Sequence, residues 1–178
     1  MALTGFQAEI KSLVIQPDGQ ILAAGRFIRF GGDDILVLRA NAADGSLDPS
    51  FGGGDDYPLT HLFAIDGALD IALQPDGRIV VSGFQDRDSA LNDWAIVRYE
   101  SNGSLDPSFD SDGIVITDMG AYGTAGDLAN SLALQADGKI VVAGRGSPPC
   151  SGGALPVECA TRPELRLRRQ VDPQWCLR

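Results

Sequence analysis

The chain is poor in the residues that most often carry chemistry. It has one histidine, His61, and three cysteines, Cys150, Cys159 and Cys176. No two cysteines form a Cys-x-x-Cys pair and none lies near the histidine, so their spacing does not make a zinc site. In an oxidising compartment two could pair and leave one thiol over. Basic residues are few, 14 Lys and Arg against 24 Asp and Glu, for a net charge of -10. That balance argues against a nucleic-acid binder, which needs a basic face for phosphates. No apolar run approaches the ~20 residues of a membrane-spanning helix. Phosphate-binding glycine loops, His-Glu-x-x-His and Gly-x-Ser-x-Gly are all missing. The first residues carry no basic start, and Glu9 and Lys11 interrupt the apolar positions, so no signal peptide is read in this chain. Glutamate is scarce as well, with 4 Glu against 20 Asp. Glutamate favours helices and aspartate favours turns and caps.

What is abundant points to short strands and tight turns. The chain has 22 Gly, and 44% of its residues are hydrophobic, enough for a core and too many for a disordered polymer. A repeat dominates it. Gln16-Pro17-Asp18-Gly19 returns as Gln74–Gly77 and, with Ala136 for proline, as Gln135–Gly138, 58 and then 61 residues on. Ile21–Gly25, Ile79–Gly83 and Ile140–Gly144 follow the three anchors. The segment Gly45–Phe51 recurs unchanged as Gly103–Phe109.

Each copy reads as four strands. Strand one is expected at Ser12–Gln16, Asp70–Gln74 and Ser131–Gln135. Strand two follows at Gln20–Arg26, Arg78–Phe84 and Lys139–Gly144. Strand three lies at Ile35–Arg39 and Trp94–Tyr99, and strand four near Tyr57–Phe63 and Gly113–Asp118. The anchor makes a turn: Pro presets φ, Asp suits the next position and Gly accepts the positive φ that follows. Strand two is apolar on both faces, as in a strand covered on both sides. Stacked four-stranded sheets of this kind make a β-propeller. The expected fold is therefore all-β, with propeller-like blades of four antiparallel strands, about two and a half repeats, in an open ring.

These residues resemble the delta-60 repeat family of bacterial proteins. The resemblance rests on Gln74–Gly83, Asp93–Tyr99 and Asn102–Phe109, and on Gln16–Gly25, Asp34–Arg39 and Asp44–Gly52 in the first copy, and covers roughly residues 8–145. Ala40 stands where the second copy has Tyr99, and the third copy stops after Gly144. The resemblance implies propeller-like blades in long exported or surface-attached proteins, hence an extracellular or cell-surface location, and transfers no catalytic residue.

Two regions are expected: a repeat β domain over 1–145 and a divergent tail over 146–178. The first carries 21 acids and 9 bases, the second 3 acids, 5 bases and all three cysteines. Two readings of the tail stand side by side, a change of reading frame near Arg145 and a genuine flexible segment; both expect poor order. Met1 is read as lying within a blade of a longer parent.

No catalytic, cofactor-binding or metal-ligating residue is assigned, and no cofactor. His61 has no recurring Ser, Cys or carboxylate partner in sequence and is read as structural or exposed. Asp110 with Asp112, Asp86 with Asp88, Asp55 with Asp56 and Asp33 with Asp34 suggest calcium, yet none completes the Asp-x-Asp-x-Asp-Gly pattern, and turn-forming aspartate is the plainer reading. Arg39 and Arg98 recur with Asp48 and Asp106, as repeated ion pairs or as an arginine ring around a channel. Phe51 and Phe109 are expected to be buried between sheets. The loops after strand two, Ile28–Asp33 and Gln85–Asn92, vary most, which is where repeat folds carry binding. The expected role is a non-enzymatic surface, scaffold or interaction module with a protein or carbohydrate partner, and with self-association through open blade edges. The alternative is part of a ligand-binding, sugar-binding or enzymatic propeller whose site forms only in the closed ring.

Overall fold

The anchor turns form as their residues dictate. In the computed structural model Gly19, Gly77 and Gly138 have φ of 88°, 88° and 84°. Each glycine N–H donates to the carbonyl of the glutamine that opens the turn, at 2.9–3.0 Å. The carboxylates of Asp18, Asp76 and Asp137 accept the amide two residues on, at 3.0–3.2 Å. The proline therefore presets a turn that the aspartate and glycine complete, and Ala136 can replace it because no bond depends on it.

The structure describes residues 7–53, 58–63, 65–86, 92–118, 126–145 and 157–160. The first blade contains β1 (Gln7–Ile15), β2 (Ile21–Arg29), β3 (Gly32–Ala40) and the short β4 (Leu59–Thr60), each antiparallel to the last. The second contains β5 (Ile65–Leu73), β6 (Ile79–Asp86), β7 (Asn92–Tyr99) and β8 (Ile114–Thr117). A single parallel bridge, Asp33 to Ile65, joins the two blades. The third sheet has β9 (Leu128–Leu134), β10 (Ile140–Arg145) and β11 (Val157–Ala160). The sheets do not close into a ring among the described residues.

Two differences from the expected strands have physical causes. Strand one starts earlier, at Gln7 and Ile65, because a bulge at Lys11 and at Leu69 breaks the alternation that marks a strand in sequence. Strand four of the first blade shrinks to Leu59–Thr60, since the chain turns at once and both Leu62 and Phe63 donate their amides to Asp66 Oδ2, at 2.6 and 2.8 Å. The backbone of Val157–Ala160 pairs with β10, a strand that the repeat pattern does not announce. The rest of the tail, with Cys150 and Cys176, lies outside the described residues.

Among the described residues, two of the three core clusters lie in the seams between blades; the third, Ala23, Leu36, Leu38 and Ala40, lies within the first blade on its other face. Leu22, Ala24, Ile35, Val37 and Phe51 of the first blade meet Ala68, Ile71, Ile79, Val81, Val97 and Tyr99 of the second. Val80, Trp94, Ile96, Phe109 and Val115 then meet Ala129, Ile140 and Val142. Strand two is thus covered on both faces in the second blade, as its composition requires. Strand one of neighbouring blades is also tied directly. Asp70, in β5, accepts Ser12 Oγ of β1 at 2.8 Å and, through its other oxygen, Ser131 Oγ and the Leu132 amide of β9. Ser12, Asp70 and Ser131 hold the same place in the repeat, so one carboxylate joins three blades.

Candidate functional site

The recurring Arg–Asp pairs are structural. Arg39 Nε donates to Asp48 Oδ2 at 2.9 Å, and Arg98 Nε to Asp106 Oδ2 at 2.7 Å. The serine of each Asp-Pro-Ser donates to the other oxygen, Ser50 to Asp48 and Ser108 to Asp106. Each guanidinium also lies over the buried phenylalanine of its own copy, 4.8 Å from the Phe51 ring and 4.5 Å from that of Phe109. Arg39 reaches into the next blade as well, donating to the Ser101 carbonyl at 3.1 Å. Each arginine is committed to the Asp-Pro-Ser loop of its own copy, and Arg39 also to the next blade. At Asp48, hydrogen bonds from Ser50 and then Arg39 hold the carboxyl at a pKa of about 2. At Asp106 burial pushes upward, but Ser108 and Arg98 outweigh it and the value is again about 2.

Among the described aspartates considered for calcium, one pair sits in a turn and the others lie in or at the ends of strands. Asp112 accepts the Ile114 amide, and Asp110 and Ser111 take positive φ in that turn. Asp33 pairs with Arg26 at 3.2 Å. Asp86 is buried at the end of β6. Asp55, Asp56 and Asp88 fall outside the described residues.

His61 is exposed, and the fold gives it a carboxylate partner that no spacing in the sequence announces. Because adjacent strands are antiparallel, the end of β2, the start of β3, the end of β4 and the start of β5 share one edge. Asp34 opens the inward run of β3, His61 follows β4, and Asp66 is second in β5. His61 Nδ1 lies 2.8 Å from Asp34 Oδ1 and 4.0 Å from Asp66 Oδ2. The two aspartates are buried, while the imidazole is 58% exposed. Arg29 Nη2 also pairs with Asp34, at 3.0 Å. Burial pushes the Asp66 carboxyl above its ordinary value, against the Phe63 and Leu62 amides that favour its ionised form. Among the described residues, these three make the group of His, Cys, Asp or Glu whose ligand atoms converge, all within 4.8 Å. Sequence separations of 27 and 5 residues hid this group; only the blade seam assembles it.

The same edge carries exposed aromatic residues. Phe30, at the tip of the β2–β3 hairpin, is fully exposed and Phe63 is half exposed. Both lie in loops that differ between copies.

Stacked four-stranded blades with a repeated seam define a β-propeller repeat protein. The family model described as a domain of unknown function (DUF5122) beta-propeller matches residues 16–51, 74–109 and 135–152, half of the chain. The chain belongs to that family. No curated protein matches it. No helix among the described residues is long and apolar enough to cross a membrane.

Proposed function

We propose that the chain is a non-enzymatic interaction module in which the outer face of the first blade receives a further blade of the same kind. One comparison carries this reading. Leu13 of β1 and Ile71 of β5 hold the same place in the repeat, each opposite strand two at the same register, Ala23 and Val81. Ile71 is 6% exposed, whereas Leu13 is 61% and its neighbour Ile15 64% exposed. Gly45 and Gly103 tell the same story. A Cβ on Gly103 would meet the Phe51 ring of the preceding blade, while a Cβ on Gly45 would meet nothing within 4 Å. A preceding blade covers this position, fully at Ile71 and partly at Leu132, and the exposed Leu13 is the matching docking position.

The further blade comes from a longer parent of the delta-60 type, exported or surface-attached, or from a second copy of this chain. Partners such as proteins or carbohydrates would meet the loop edge with Phe30 and Phe63, since exposed aromatic residues supply contact area at low entropic cost. The test is size-exclusion chromatography with light scattering over a range of concentration. The chain should self-associate as concentration rises, and Leu13→Lys with Ile15→Lys should return it to monomer without lowering its melting temperature. A monomer at every concentration contradicts docking of a second copy, and assembly that survives both substitutions contradicts docking through this face.

A further inference from the structure

The geometry points to a divalent transition-metal site formed by Asp34, His61 and Asp66 at the seam of the first two blades. It stands on observations separate from the docking of blades. The donor set is one imidazole and two carboxylates from three elements, β3, the β4–β5 loop and β5, which hold them from different directions. Ligands at ~2.0–2.1 Å in tetrahedral arrangement lie about 3.3 Å apart. The observed separations from His61 Nδ1, 2.8 and 4.0 Å, straddle that spacing.

The second observation is an orphaned oxygen. Asp66 is buried, its Oδ2 accepts two amides, and its Oδ1 is buried with no hydrogen-bond partner. A buried carboxylate oxygen left unpaired is costly, and such groups are normally paired or bound to a metal. The 4.0 Å approach to His61 is made by Oδ2, so a cation bound by both oxygens of Asp66 would give Oδ1 its partner and offset the charge of the buried aspartates. Arg29 now neutralises Asp34, but its side chain is 48% exposed and can swing aside.

Mixed nitrogen and oxygen donors suit zinc or manganese, and three protein ligands leave an open position. The exposed imidazole puts that position at the solvent-facing loop edge, beside Phe63. The second seam does not repeat the set: the residue corresponding to His61 is Asp118. The site is therefore specific to the first seam.

The probe is zinc chloride, titrated by calorimetry into the full 178-residue chain. Cys150→Ser, Cys159→Ser and Cys176→Ser are introduced first, so that thiols take up no metal. One zinc per chain is expected. Asp66→Asn should weaken binding at least about tenfold, the scale at which even outer-shell changes act. His61→Ala, at an exposed position whose loss does not threaten folding, should do the same and keeps the test decisive if Asp66→Asn misfolds. No zinc uptake by the parent chain, or uptake undiminished in His61→Ala, overturns the assignment.

Discussion

Asp48 and Asp106 show how one repeated residue ties a loop to a blade. Each takes a serine hydroxyl and amide on one oxygen and an arginine on the other. Both carboxyls are held at a pKa of about 2 in the folded chain, against about 3.9 in an unfolded one. Their ionised forms therefore favour the native state fully above about pH 4, and that contribution is lost as pH falls from about 4 to 2. Asp66 has the opposite sign, since its raised value means that protonation relieves the folded state. Thermal melts should show the steepest loss of stability between about pH 4 and 2, and Asp48→Asn with Asp106→Asn should flatten it. A melting temperature that is flat through this window would contradict the role given to these carboxylates. The pairing itself was legible in sequence from the matched positions of Arg39, Arg98, Asp48 and Asp106. The phenylalanine under each guanidinium was not, because a ring contact has no spacing rule in a loop.

At the scale of the strand, the glycine that closes the Ile–Val–Val-type run has a physical reason. Gly25, Gly83 and Gly144 lie opposite the bulge of strand one in each copy. A Cβ at these positions would collide with the carbonyls of Glu9, Gly67 and Leu128 respectively. The atom in the way is backbone each time, so relief requires the two strands to part. Gly83→Ala should cost about 1–3 kcal/mol, towards the upper end, as overpacking in a rigid site does. Gly138→Ala, where a Cβ meets open space and only the positive φ of 84° resists, should cost about 1 kcal/mol. Urea unfolding of the two variants measures the difference; equal losses would show that the bulge yields freely. The repeat showed these glycines plainly, and their β-branched neighbours marked strand two. The bulge that demands them was hidden, because it also erased the alternation over Gln7–Lys11 and Ile65–Leu69 and made strand one look shorter than it is.

In the whole molecule, the seam is the unit that holds the blades. Phe51 and Phe109, read from sequence as plugs between sheets, are both fully buried there. Asp70 links strand one of three successive blades, and Asp34, His61 and Asp66 converge across the first seam. Neither arrangement could be read from spacing, since each depends on strands from different copies meeting. The seam also explains why equivalent residues have unequal surroundings, and one measurement tests this account most directly. Ile71→Ala and Leu13→Ala remove similar side chains from the same place in the repeat. In dilute solution, chemical denaturation should show a loss of about 2–5 kcal/mol for Ile71→Ala and within about 0.5 kcal/mol of no change for Leu13→Ala. Equal losses at the two positions would mean that each blade is stabilised from within, and that the seam between blades does not hold the fold.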